Sequence, residues 1–251
     1  MPGVRKPSSR EAFNDNLADA EALVALARAL RNRRVRRMRR ELRDRLGGAL
    51  GLPKKHWEDL DCIESADVFV VFKHGSRLNR DALSDAGMRP LLRQALVAAC
   101  AAVETFVGDR VMERLRSALY ADPRPTRLLD VPMTVRDWLH IDETYERRRW
   151  GLREVVELEV RRVSSPSPSQ IGLAFGIIGE KKLFARVDAR RKVPTGSSEN
   201  ALHRIYERRN RIAHQGDRSG RGRAAISVEE VEDDLRCIAQ IVDALDKETK
   251  P

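Results

Sequence analysis

Apolar residues recur at helical spacing in two long stretches of the chain. Within residues 91–119, most apolar positions lie four or eight residues apart on a face rich in alanine. Within residues 227–246, the spacing is three and four, and Ser227 with Glu230 forms a capping-box pattern at the start. Both patterns predict amphipathic helices that pack through one face. The apolar positions are Leu92, Leu96, Val103, Val107, Val111 and Leu115 in the first, and Val231, Leu235, Ile238, Val242 and Leu245 in the second.

The N-terminal part is predicted to contain a basic helix. Residues 1–16 are polar and include two prolines, so we expect them to be disordered. Residues 18–46 contain no proline or glycine, and Val35, Met38, Leu42 and Leu46 recur at three and four residues. This pattern predicts a helix over about residues 17–46, which the following glycines end.

The other segments predict shorter helices joined by loops. Prolines at 123, 125 and 132 and the Ser-Pro run at 164–169 mark loops, and helices are expected over 135–163 and 199–213. The pattern does not decide the secondary structure of two apolar stretches. Residues 57–72 could be a helix or a buried extended segment, and residues 171–178 are interrupted by glycines. We therefore predict an all-α protein, with a basic N-terminal helical extension at 1–52 and a helical domain at 53–251.

Positive charge is concentrated in the predicted N-terminal helix. The formal net charge of the chain is +10, and residues 28–45 contain ten arginines against two acidic residues. Such a helix could lie along phosphates, on an anionic membrane surface or against an acidic protein. If it binds RNA, its candidate contact residues are Arg33, Arg36, Arg37 and Arg40.

Several classes of site and location receive no support from the sequence. The three cysteines are far apart and lack C-x-x-C spacing, so neither a disulfide framework nor a zinc site is expected. Motifs of nucleotide-binding loops, zinc proteases and serine hydrolases are missing, and no metal or other cofactor is predicted. No stretch approaches the roughly 20 apolar residues of a membrane span, and no signal peptide is evident. We expect a cytoplasmic protein without membrane association.

The sequence near residue 210 has the residue types of a metal-free catalytic site. Arg209, Asn210 and His214 place a permanent positive charge, an amide and a proton-transfer group within six residues. On a straight helix Asn210 and His214 share a face, but Arg209 and His214 diverge by about 140°. Either the Arg209 side chain wraps around, the helix loosens before Gly216, or two copies of the motif meet in a dimer. A surface-charged helix end is the alternative interpretation.

A glycine-rich loop follows the motif. Residues 216–223 carry Arg218, Arg221 and Arg223 among glycines that would make the backbone flexible. The loop could contact phosphates beside the motif, or it could be a solvated turn.

The chain resembles the HEPN superfamily of all-helical domains. Many members are metal-independent ribonucleases with an R-x(4 to 6)-H motif and a polar residue after the arginine, which Arg209, Asn210 and His214 match. The helix at 91–119, the apolar run at 67–75 before it, and the glycine-rich stretch before the final helix also follow the family. The resemblance covers roughly residues 56–246. It implies a HEPN-like helical bundle.

The resemblance also implies a function. RNA would be cleaved by attack of the ribose 2′-OH on the adjacent phosphorus, giving a 2′,3′-cyclic phosphate and a 5′-hydroxyl. His214 would transfer the proton, Arg209 would hold the phosphate, and Asn210 would bind the phosphate or orient the imidazole. A homodimer, a toxin or anti-phage role, and an inhibitor or antitoxin partner are implied as well. Two alternatives are a non-catalytic HEPN module that binds RNA or a protein, and a DNA-binding regulator that uses the basic helix.

Overall fold

A computed structural model describes residues 7–31, 36–64, 68–73 and 80–250. The described residues form ten α-helices, two short 3₁₀ turns and two small antiparallel sheets, which confirms the all-α prediction. The helices are α1 Ser9–Leu30, α2 Arg40–Ala49, α3 Asp85–Tyr120, α4 Thr126–Leu129, α5 Val135–Thr144, α6 Arg148–Val163, α7 Pro168–Ile177, α8 Leu183–Arg191, α9 Ser197–Gln215 and α10 Val228–Glu248. The strands are β1 Arg36–Arg37, β2 Asp61–Glu64, β3 Phe69–Phe72, β4 Arg218–Ser219 and β5 Gly222–Arg223.

The central element is α3, which the sequence periodicity predicts. Its N-cap is Ser84, whose hydroxyl accepts a hydrogen bond from the amide of Gly87. Alanines on its buried face let neighbouring helices approach closely, and α1, α6, α7, α9 and α10 all pack against it. The Phe13 ring of α1 meets Phe106 of α3 edge to face, with centroids 6.0 Å apart. One main hydrophobic core therefore contains residues of both α1 and α10.

The predicted N-terminal helix is wrong at both ends. Helix α1 begins at Ser9, where Ser8 and Glu11 form a capping box, so residues 9–16 are helical rather than disordered. It ends at Leu30, and the chain then forms strand β1 and the separate helix α2. The predicted residues Arg33 and Val35 lie outside the described residues.

Long-range packing explains why the helix does not continue to residue 46. Arg36 and Arg37 pair antiparallel with β2, and Met38 is buried against Leu60 and Cys62 in a small second cluster. A continuous helix would remove these contacts and would leave the apolar Met38 side chain without this cover. The predicted separation of residues 1–52 stays a prediction, but the α1 part of that segment is buried in the main core.

The two ambiguous stretches take different forms. Most of the described part of 57–72 forms β2 and β3, which pair antiparallel from Asp61 opposite Phe72 to Glu64 opposite Phe69. The 171–178 stretch belongs to α7, which has Pro168 in its first turn, where proline is favoured. The predicted helix over 135–163 is divided into α5 and α6, with Ile141 packed closely against Gly151.

The hydropathy of helix α3 differs from what we expected of the chain. By length and composition it could span a bilayer, contrary to the expectation that no stretch comes near this limit. In the structure, 56% of its most apolar window is buried inside the bundle. The core helix of a soluble protein passes the same test, so the feature is weak evidence for a membrane span.

Candidate functional site

Helix α9 carries the predicted motif and is fixed at both ends. At its start, the buried carboxylate of Asp188 accepts hydrogen bonds from the amides of Gly196 and Ser198, at 2.6 and 2.9 Å. At its end, Gly216 adopts φ +62°, a conformation that glycine reaches without a Cβ clash. The helix stays α-helical to Gln215, so the structure does not support the predicted loosening before Gly216.

Arg209 lies on the inner side of α9. It follows the buried residues Leu202 and Ile205 at helical spacing, and its side chain is half-buried. Burial raises the pKa of the Cys100 thiol on α3 to about 12, and the charge of Arg209 opposes this increase. Arg209 is therefore close enough to α3 to act on Cys100 electrostatically.

The Arg209 guanidinium retains donors for a ligand. Its Nη1 donates to Oδ1 of Asn210 at 3.3 Å. Its buried Nε has no hydrogen-bond partner, and among the described residues no carboxylate pairs with it. A guanidinium in this state can receive a phosphate without first losing an ion pair.

His214 is exposed and separate from Arg209. Its imidazole makes no hydrogen bond to another described residue, and its position lies about 140° around the helix from Arg209. The structure thus joins Arg209 to Asn210, and no described hydrogen bond joins His214 to either side chain. Along the straight helix α9, Asn210 and His214 lie one turn apart on the same face, whereas Arg209 and His214 diverge.

A buried ion-pair cluster, which the sequence analysis missed, holds the end of the motif. Asp217 is fully buried, and its Oδ2 lies 2.9 Å from Nε of Arg93 and 3.3 Å from Nη2 of Arg208. Arg208 also binds Glu230 on α10 at 2.6 Å, and Arg93 donates to the carbonyl of Ala224 at 2.8 Å. These contacts join α3, α9 and α10 beneath the segment that follows His214.

The cluster separates two arginines that the motif alone cannot distinguish. Arg208 and Arg209 both have motif spacing from His214. In the structure, Arg208 is bound by two carboxylates, whereas Arg209 is bound by none among the described residues. The sequence signal for the cluster was slight: Asp217 follows a helix-ending glycine, and its partner Arg93 is distant in the sequence.

The glycine-rich segment is a β-hairpin and not the flexible loop that we expected. Strands β4 and β5 pair Arg218 with Arg223 and Ser219 with Gly222, and the amide of Ala224 donates to the carbonyl of Asp217 at 2.7 Å. Gly220 occupies the first turn position at φ +58°, which a two-residue hairpin turn of this kind requires.

The hairpin arginines are close together and exposed. Arg218 and Arg223 lie directly opposite one another across the two strands, so their side chains project from the same face of the hairpin. Like charges in this position repel, and no described carboxylate pairs with Arg218, Arg221 or Arg223. An anion bound over this face would relieve the repulsion.

The N-terminal basic residues lie at the same end of the bundle. Arg31, which directly follows α1, pairs with Glu229 in the first turn of α10, and Arg208 of α9 pairs with Glu230 in the same turn. Arg36 and Arg37 are exposed on β1 just beyond α1, and Arg40 is exposed at the start of α2. No hydrogen bond or ion pair of the described residues joins these arginines to the hairpin, and Arg33 lies outside the described ranges.

Potential metal ligands do not cluster in this part of the protein. Among residues 7–31, 36–64, 68–73 and 80–250, no group of three His, Cys, Asp or Glu side chains could hold an ion. The arrangement that is present offers a cationic donor, an amide and an imidazole.

The comparisons with known proteins concern the larger part of the chain. A protein-family model described as RiboL-PSP-HEPN matches residues 71–250. The matched range contains α3, α9, the hairpin and α10, and it excludes α1 and α2. Searches among curated proteins and among solved structures found no match.

Proposed function

The chain belongs to the RiboL-PSP-HEPN family, and we propose that it is a metal-independent endoribonuclease whose site contains Arg209, Asn210 and His214. The proposal rests on the surroundings of Arg209. Its guanidinium is half-buried beside the amide of Asn210 and has no carboxylate partner among the described residues. The two neighbouring structural arginines, Arg93 and Arg208, both pair with Asp217, and Arg208 also pairs with Glu230. Of Arg93, Arg208 and Arg209, it is therefore Arg209 that is available to a phosphate.

The proposed reaction needs only groups of the protein and the RNA. The 2′-oxygen forms a bond to the adjacent phosphorus, the bond from phosphorus to the 5′-oxygen breaks, and the products are a 2′,3′-cyclic phosphate and a 5′-hydroxyl. One imidazole accepts the 2′-OH proton, and a proton is delivered to the leaving 5′-oxygen. Arg209 offsets the charge that builds on the phosphate oxygens in the transition state.

A homodimer would supply the convergence that one chain lacks. Arg209 and His214 point in different directions from a straight α9, so a second copy would place its own His214 opposite the first motif. Two imidazoles could then serve as base and acid. Arg218, Arg221 and Arg223 would hold the RNA backbone beside this cleft, and Arg36, Arg37 and Arg40 would extend the basic surface at that end of the bundle. Arg33 belongs to this proposed RNA-binding set on the basis of the sequence alone, because it lies outside the described residues.

Cleavage of total RNA and purified tRNA in excess EDTA tests the proposal. The native protein should give cyclic-phosphate ends, and both His214→Ala and Arg209→Ala should reduce cleavage by about 100-fold or more. Arg211→Ala is the matched control, since Arg211 is an exposed arginine on the same helix. The proposal fails if folded, dimeric native protein leaves RNA intact, or if the His214 variant cleaves at the native rate.

A non-catalytic HEPN module that binds RNA is the second candidate, because His214 and Arg209 diverge within one chain. Such a module would have no cleavage to lose, and its RNA affinity would be unchanged in His214→Ala. Affinity should instead decrease in an Arg218→Ala, Arg223→Ala double variant, with a smaller salt dependence. The DNA-regulator alternative loses its basis, because the described part of the basic stretch is divided among α1, β1 and α2 and does not form one long helix.

The cellular role follows from the proposed cleavage. A cytoplasmic ribonuclease that acts as a toxin or in anti-phage defence should restrict growth when expressed without an inhibitor or antitoxin. His214→Ala should remove the restriction at equal protein level. Harmless expression of the folded native chain would contradict the toxin role without affecting the chemistry measured on purified RNA.

A further inference from the structure

A basic, aromatic cavity lies at the opposite end of α3 from the proposed active site. It has a volume of about 770 Å³ and is lined by the last turns of α3 and the first turns of α6. Arg93, beneath the motif, and Tyr120, at the cavity, are separated by about 40 Å along the helix at 1.5 Å per residue. The cavity is therefore a separate feature of the molecule.

Three of the four described arginines that line the cavity have no acidic partner among the described residues. Among the described side chains, its lining contains four arginines and no carboxylate. Arg148 is occupied, since it pairs with Asp142 and lies over the Trp138 ring. Arg116, Arg147 and Arg153 have no ion pair with any described carboxylate. Further along α6, by contrast, Arg161 and Arg162 pair with Glu157 and Glu159.

The start of α6 carries positive charge, whereas the N-terminus of a helix favours negative charge. Its N-cap is Arg147, no side chain caps the first amides, and the first turn has no acidic residue. The positive end of the helix dipole is thus next to arginine side chains. An anion in the cavity would interact favourably with both.

Two aromatic rings give the cavity a second kind of surface. The side chains of Trp150 and Tyr120 belong to its lining and are 65% and 58% exposed. Exposed tryptophan is unusual on a surface that binds nothing, and an indole ring stacks well on a nucleobase. Guanidinium groups match phosphate oxygens in their geometry.

We propose that this cavity binds a nucleoside phosphate, with the base against Trp150 and Tyr120 and the phosphate on Arg116, Arg147 and Arg153. The cavity is within the size range of small-molecule sites, which favours a nucleotide-sized ligand over an extended acidic surface. The nucleoside phosphate could be a free nucleotide or one unit of a bound RNA strand. This site does not depend on the proposed cleavage reaction, because neither Arg209 nor His214 contributes to it.

Calorimetric titration of the full-length protein tests the proposal. The probes are adenosine, AMP, ATP, a short 2′-O-methyl oligoadenylate, which cannot be cleaved through a 2′-OH, and a short glutamate peptide. We expect ATP or the oligoadenylate to bind, and adenosine to bind much more weakly because it lacks phosphate. Binding of ATP identifies a free-nucleotide site, whereas binding of the oligomer alone identifies an RNA contact; both support the proposal.

Variants assign the binding to the cavity. Trp150→Ala and Arg153→Ala should each weaken binding by about tenfold or more, as loss of stacking or of a phosphate contact predicts. Arg161→Ala on the same helix is the charge-matched control and should change affinity less than about twofold. Circular dichroism checks that each variant is folded, and Trp150→Phe should restore most of the affinity by keeping a stacking ring.

Three outcomes overturn the proposal. One is that no nucleotide or oligomer binds the folded native protein. Another is that all three alanine variants weaken binding equally, which indicates general surface charge. The third is that the glutamate peptide binds as well as ATP, which indicates an acidic protein partner. All are read from binding, so they are independent of whether RNA is cleaved.

Discussion

Nε of Arg93 on α3 lies 2.9 Å from the fully buried Oδ2 of Asp217, although the two residues are far apart in the chain. Asp217 is held at φ +58°, and Arg208 reaches the same oxygen. Two guanidinium groups thus meet one carboxylate just beyond His214. The contact fixes the end of α9 and the hairpin as one unit with the central helix.

Asp217→Asn should destabilise the protein by about 3–5 kcal/mol, because it leaves the buried Arg93 without its carboxylate and removes one of the two carboxylates that bind Arg208. Asparagine keeps the shape of the side chain and tolerates the left-handed backbone. Urea denaturation measures the change. The control is Glu230→Gln, which removes the partly exposed second partner of Arg208 and should cost less than about 1 kcal/mol. Equal effects of the two substitutions would contradict the importance given to Asp217.

The ion pair between Arg31 and Glu229 should make stability depend on acidic pH. The Arg31 guanidinium lowers the pKa of Glu229 to about 2 from the ordinary value of 4.5. A lowered carboxyl pKa contributes stability above its unfolded value, and this contribution is lost as the pH falls from about 4.5 towards about 2. The difference in Tm between native protein and Glu229→Gln should therefore be present near neutral pH and should shrink over that interval.

The matched control for this pH effect is Glu21→Gln, on an exposed part of α1. It should leave the shape of the Tm curve unchanged. If the Glu229 variant followed the native curve at every pH, the pair with Arg31 would contribute nothing to folding.

Helix α1 should be required for the stability of the whole bundle. Phe13 is fully buried and contacts the Phe106 ring, so Phe13→Ala should cost about 3–5 kcal/mol. Leu26→Ala on the exposed side of the same helix should have little effect. Denaturation followed by tryptophan fluorescence checks this, since no tryptophan lies in α1. A normal midpoint in Phe13→Ala would favour an independent extension.

Two helical glycines should respond to alanine with opposite signs. A Cβ at Gly151 would lie 2.6 Å from Cγ1 of Ile141, so Gly151→Ala should destabilise the packing of α5 on α6 by about 1–3 kcal/mol. A Cβ at Gly172 in α7 would meet nothing within 4 Å, so Gly172→Ala should stabilise the protein by about 0.5–1 kcal/mol. Thermal melts of both variants measure the two signs.

The sequence by itself determined the elements whose information is local. The apolar spacing from Leu92 to Leu115 specified α3, the spacing from Val231 to Leu245 with Ser227 specified α10, and Arg209, Asn210 and His214 stood out as a motif. Helical periodicity and caps depend on residues within a few positions of each other, so they are visible in a linear pattern.

Only the tertiary structure decided the features that depend on distant residues. Met38 is buried against Leu60 and Cys62, and this contact divides the predicted basic helix. No local pattern in the sequence predicts the contact. The hairpin at Arg218 and the difference between Arg208 and Arg209 both depend on Asp217 and its partner Arg93 on α3. Strand pairing and buried ion pairs are formed by residues that meet only after the chain has folded, and their free energy depends on the burial that the fold creates.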